Sequence, residues 1–166
     1  MFNDYLTGLS NRRALFEAAE VELKRWHRHP RPLSLIIIDA DYFKRVNDTF
    51  GHAAGDQVLR QIASELQGSA RDIDTVARIG GEEFAALLPS TDLAGAVAMA
   101  ERLRKRVEAA CTNVDGTDIR YTVSIGVSTM DDTVTSFDDL LERADKALFD
   151  AKHGGRNRVA SAAKRE

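Results

Sequence analysis

The spacing of apolar positions changes several times along this chain, and each change predicts an element. From residue 11 to about 29 apolar side chains recur among charged ones at helical spacing, until Pro30 and Pro32 stop the run. Leu33-Ser34-Leu35-Ile36-Ile37-Ile38 is nearly continuous and rich in β-branched residues, which predicts a strand over 33–39 buried on both faces. Helices are expected from 41 to about 50, ended by Gly51, and from about 55 to 67, with Gly68 as the C-cap. Thr75-Val76-Ala77 and Phe84-Ala85-Ala86-Leu87-Leu88 flank Gly80-Gly81 and predict a hairpin over 73–88, since glycine enters the positive-φ conformations of tight turns cheaply. Asp92 is placed to cap an alanine-rich helix reaching about 110. Residues 120–129 alternate as a strand, Ser136 opens a helix to about 153, and 157–160 form a short closing strand. After the first helix the order is βααββαβαβ, an α+β layer fold with a mainly antiparallel sheet flanked by helices.

Composition narrows the function classes. The 166 residues are 43% hydrophobic and 30% charged, which suits one soluble domain over 1–166. A net charge of −3 argues against a nucleic-acid partner or a membrane-surface contact. No apolar run approaches the roughly 20 residues that span a bilayer, and no signal peptide opens the chain. Cys111 is the only cysteine, which excludes an intrachain disulfide and points to the reducing cytoplasm. His27, His29, His52 and His153 lack metal-ligand spacing with it and read as surface or capping residues.

The chemistry lies in two acidic clusters. Glu82 and Glu83 follow Gly80-Gly81, and adjacent carboxylates gain nothing by crowding unless a cation neutralises them. Asp39 ends the buried strand, where an acid is costly unless something binds it. Asp41 has a plain role available, capping the next helix. A strand-end aspartate beside a glutamate pair is an arrangement that holds divalent cations over a triphosphate, and Lys44 adds a charge for phosphate oxygens.

These residues resemble the GGDEF domain, the catalytic domain of bacterial diguanylate cyclases, over nearly the whole chain. Asp4-Tyr5-Leu6-Thr7-Gly8-Leu9-Ser10-Asn11-Arg12-Arg13 is similar to the family's opening motif. Residues 39 to 44, with Asn47-Asp48, Gly51-His52 and Gly55-Asp56, resemble its nucleotide-binding block. Gly80 to Phe84 resembles the signature hairpin, with Glu82 at the position that varies between Asp and Glu. Ala151-Lys152 and Gly155-Arg156-Asn157 resemble the closing motif. Ala40 departs from the usual larger aliphatic residue.

The resemblance implies a ferredoxin-like palm and the condensation of two GTP into cyclic di-GMP with release of two pyrophosphates. It implies Mg²⁺, with Mn²⁺ as a substitute, held by Asp39, the Ala40 carbonyl, Glu82 and Glu83. Gly80 and Gly81 then let the backbone approach the ribose and α-phosphate. Phe43, Asn47 and Asp56 belong to the substrate site, with Asn47 and Asp56 reading the guanine edge. Lys44, Lys152 and Arg156 are the phosphate candidates, although Lys152 and Arg156 suit a helix C-terminus as well. Arg71-Asp72-Ile73-Asp74 resembles the family's RxxD inhibitory motif, at which the product binds through Arg71 and Asp74, with Arg102 contributed by a neighbouring subunit. The implied partners are GTP, cyclic di-GMP as inhibitor, a transient homodimer, and an N-terminal sensory or dimerising module absent from this sequence. The rival reading is a catalytically inactive domain that binds GTP or cyclic di-GMP.

Overall fold

The computed structural model describes residues 2–134 and 136–162. Helix α1 (Arg12–Arg28) is capped by the Asn11 side chain, which accepts from the amide of Ala14. Strand β1 (Leu33–Ala40) follows and is buried at every position. Next come α2 (Phe43–Phe50), α3 (His52–Ser69), and the hairpin of β2 (Thr75–Arg78) and β3 (Glu83–Pro89). Helix α4 (Leu93–Ala109), the small hairpin β4 (Thr112–Val114) and β5 (Thr117–Ile119), β6 (Val123–Thr129), α5 (Phe137–His153) and β7 (Val159–Ser161) complete the order.

The main sheet runs β2-β3-β1-β6-β7, antiparallel throughout except for the parallel β6–β7 pair. Alternate residues of β1 feed two cores. Ile36 and Ile38 pack with Ile62 and Leu66 of α3 and Leu103 of α4 on one face. Leu35 and Ile37 pack with Leu15 and Ala19 of α1 and Leu140, Ala144 and Leu148 of α5 on the other. Helices on both faces explain why β1 reads as a continuous apolar run rather than an alternating one. Gly126 on β6 faces α5 so closely that a Cβ there would lie 2.2 Å from the Ala144 carbonyl oxygen. The backbone of α5 therefore rides directly on the sheet.

Several expectations are corrected in detail. The residue before α2 is Tyr42, in the left-handed region at φ 54 and without a side-chain cap, so Asp41 does not cap that helix. Instead Asp41 is buried and accepts hydrogen bonds from Thr122, Ser124 and the Asn157 amide. Helix α3 starts at His52 and runs through Gly68 to Ser69, so Asp56 lies inside it and Gly68 is not its cap. The β4–β5 hairpin was not predicted. Its turn is Asp115-Gly116, both at positive φ, a dipeptide that signals such a hairpin.

Candidate active site

The register of the sheet brings the two acidic clusters together. Asp39 on β1 sits opposite Glu83 on β3, and the Ala40 amide donates to the Glu82 carbonyl. Between the hairpin strands, the Ile79 and Gly80 amides both donate to the Glu83 carbonyl, forming a tight loop. Neither Gly80 nor Gly81 has a positive φ, so the turn does not depend on that property of glycine. A Cβ at Gly81 would meet nothing within 4 Å, and one at Gly80 would meet only Glu83. What the two glycines provide is an open face above the backbone.

Arg78 buttresses this hairpin. One guanidinium nitrogen donates to the Gly81 carbonyl at 2.9 Å and the other pairs with Asp4 at 3.2 Å. Burial works against ionised Asp4, but the Thr7 hydroxyl and amide, with Arg78, hold its carboxyl below the usual range. The opening motif is thereby fixed to the glycine hairpin by charge-assisted hydrogen bonds.

Electrostatics at the strand ends are dominated by surplus negative charge. Burial, then the Asp39 charge and a hydrogen bond with Asp39, push the Glu82 carboxyl up to about 7. Burial, then Asp39 and Asp145, also raise Glu83. The neighbouring cation is Lys152, whose Nζ lies 2.7 Å from Asp39 Oδ2. Lys152 and the Arg12 guanidinium do not neutralise the four acids Asp39, Glu82, Glu83 and Asp145, so the donor set fits a hard divalent cation. As they stand, no three Asp, Glu, His or Cys side chains among the described residues are gathered closely enough to hold one.

Asp145 is an acidic neighbour that sequence reasoning missed. Burial raises its carboxyl, with Arg12 and Lys152 opposing. Its signal was present, because Asp145 and Lys152 are seven residues apart on α5 and share a helix face.

The predicted substrate residues divide between two places. Phe43, Lys44, Asn47, His52, Asp56, Leu59, Arg78, Gly81 and Glu82 line one cleft of about 440 Å³. Asn47 reaches it because Gly55 has no side chain. A Cβ there would overlap the Asn47 amide oxygen at 1.9 Å. Asp56 and Lys44 are exposed at its rim. Lys152 and Arg156 lie outside this cleft. Lys152 pairs with Asp39, and the Arg156 guanidinium stacks 4.7 Å from the Tyr42 ring centre.

Arg71, Asp74 and Arg102 line a separate cleft of about 370 Å³, which shares no lining residue with the first. Arg71 pairs with Asp74 at 3.1 Å and donates to the Pro89 carbonyl at 2.7 Å. All three predicted residues therefore face one cleft of a single chain.

A profile described as "Diguanylate cyclase, GGDEF domain" matches residues 1–158. The chain belongs to this family. It is 50% identical to diguanylate cyclase A of Treponema denticola over 127 residues, covering 76% of this chain and 34% of that protein. It is 45% identical to diguanylate cyclase DgcP of Pseudomonas aeruginosa over 156 residues, covering 94% of this chain and 23% of that protein. The chain thus spans about a quarter to a third of those relatives. The crystal structure of the GGDEF domain of DgcB from Caulobacter crescentus, in complex with c-di-GMP, superimposes with a TM-score of 0.94 at 35% identity. That match covers 98% of this chain and 94% of that one. Cyclases of this family need a divalent metal.

Proposed function

We propose that residues 1–166 form one catalytic domain that condenses two GTP into cyclic di-GMP, working in the cytoplasm. The reading is carried by Glu82, which lines the same cleft as Asn47 and Asp56 and adjoins the Asp39–Glu83 pair of the sheet. Asp56 and Asn47 receive the guanine edge, with the Phe43 ring in the same cleft. The open backbone at Gly80-Gly81 receives the ribose and α-phosphate. Asp39, the Ala40 carbonyl, Glu82 and Glu83 would hold Mg²⁺ or Mn²⁺. Bound there, such ions would favour the deprotonated 3′-hydroxyl and offset charge on the leaving pyrophosphate. Without cations the Glu82 carboxyl sits near 7, so binding of such ions at neutral pH displaces a proton from it. Lys44, Lys152 and Arg156 serve the phosphates, which requires Lys152 to leave Asp39.

The product is two-fold symmetric and each chain has one such cleft, so two chains must face each other. A C₂ homodimer is the simplest solution. The test is incubation of the domain with GTP and Mg²⁺. Cyclic di-GMP is expected, with activity per mole rising with protein concentration. No cyclic product at any concentration would leave the domain a nucleotide-binding module.

The second cleft is read as the product-inhibition site. Arg71 can grip a phosphate with two parallel hydrogen bonds while Asp74 accepts from a guanine edge. Product bound there and at Arg102 of a facing chain would hold the two active sites apart. Arg71→Ala is expected to weaken cyclic di-GMP binding by about tenfold or more, on the scale of one lost charge-assisted pair. It should relieve inhibition while leaving the initial rate on GTP nearly unchanged. Calorimetry beside product-inhibition kinetics checks this, and unaltered inhibition would reduce the motif to a surface ion pair.

A further inference from the structure

The turn that follows α5 is held from several sides by residues whose purpose neither the fold nor the cleft explains. Arg156 and Asn157 are consecutive non-glycine residues in the left-handed region, at φ 62 and 47. Asparagine tolerates that conformation, but for Arg156 it is costly and persists only when the surroundings impose it. Buried Asp41 supplies one constraint. Its Oδ2 accepts from the Asn157 amide at 3.0 Å and from the Thr122 hydroxyl at 2.6 Å, while its Oδ1 accepts from Ser124 at 2.7 Å. The Asn157 side chain adds another, accepting from Arg104 at 3.0 Å and donating to Glu108.

Tyr42 completes the arrangement. It too is left-handed, and the guanidinium groups of Arg156 and Arg45 lie 4.7 Å and 4.2 Å from its ring centre. A helix end needs none of this, since Gly155 at φ 124 is already there to turn the chain. What the constraints accomplish is to hold one guanidinium against Tyr42, two residues beyond the end of the strand that bears Asp39. A free arginine loses side-chain entropy when it closes on a phosphate, and one already held loses less.

We infer that Asp41 and Tyr42 are positioning residues for Arg156: Asp41 fixes the turn through the Asn157 amide, and Tyr42 fixes the guanidinium, so that a triphosphate meets a preset cation. The inference rests on the GTP reading above. A merely structural role would affect every ligand of the domain alike. A positioning role affects ligands that carry phosphates.

The test is calorimetric binding of two probes in the presence of Mg²⁺. One is a GTP analogue with a methylene group between the α and β phosphorus atoms, which cannot be cyclised, and the other is guanosine. Tyr42→Asn removes the ring and keeps a residue that tolerates the left-handed backbone. Its affinity for the GTP analogue is expected to fall about tenfold, with guanosine changed by less than about twofold. Tyr42→Phe retains the ring and should bind as the parent does. Asp41→Asn replaces an acceptor with an amide that brings donors to three donors, and should reproduce the selective loss. Equal losses for both probes, or none for either, overturn the positioning role. A parent that binds neither probe overturns the GTP reading and this inference with it. A parent that binds both, beside a Tyr42→Asn variant that does so equally, overturns the positioning role alone.

Discussion

Glu83→Ala is expected to lower cyclic di-GMP formation by at least about a thousandfold, the upper range for loss of one preorganised charge-stabilising group. The same variant should melt no lower than the parent at neutral pH. Burial, then Asp39 and Asp145, raise the Glu83 carboxyl, so its ionised form is disfavoured in the folded domain. For an acid raised on folding, the penalty is fully present above the folded pKa and vanishes below the unfolded value of about 4.3. Any gain in stability from the alanine therefore appears at pH 8 and is gone near pH 4. Product chromatography and thermal melts at two pH values measure both effects. Near-parent turnover would refute Glu83 as a metal ligand. A variant that is inactive and also melts far lower would show that Glu83 supports the fold instead.

GTP should be preferred over ATP by roughly a hundredfold, and Asp56→Ala should remove most of that preference. A fully buried acceptor left unpaired can yield discrimination of about 10⁴. Asp56 is exposed on the second turn of α3, so water solvates it when the wrong base is present. The smaller figure, that of hydrogen bonds to a charged group, is the one to expect. Competition kinetics with the two nucleotides give the ratio directly. Equal rates would remove Asn47 and Asp56 from base recognition. A ratio near 10⁴ would mean that a facing chain buries the cleft during turnover.

The parts of this fold that were legible in the sequence are those fixed by local pattern. The run at 33–38 could only be a strand covered on both faces, and Asp92 and Ser136 each cap the helix they were read to open. Asp41 was misread because its partners, Thr122, Ser124 and Asn157, lie more than 80 positions away. A short-range rule offers an aspartate before a helix only a capping role. The same limit applied to Lys152, whose contact with Asp39 spans 113 positions. Gly80-Gly81 was recognised for its place between two strands, yet the conformational reason offered for it does not hold. The acidic pair was legible because like charges side by side are costly at any range. That Asp145 shares a helix face with Lys152 was legible too, but not that packing would carry that face to the acidic pair.

That packing has a consequence at a distance. Gly126 sets the gap between sheet and helix, and α5 carries Asp145 and Lys152 to the strand ends. The helix behaves as a rigid lever resting on a single missing methyl group. Any larger residue at 126 would push its backbone away by about an ångström, because a Cβ would fall 2.2 Å from the Ala144 oxygen and 2.4 Å from the Leu148 nitrogen. The reach of the lysine at the rim is therefore calibrated in the interior, by an atom that is not there.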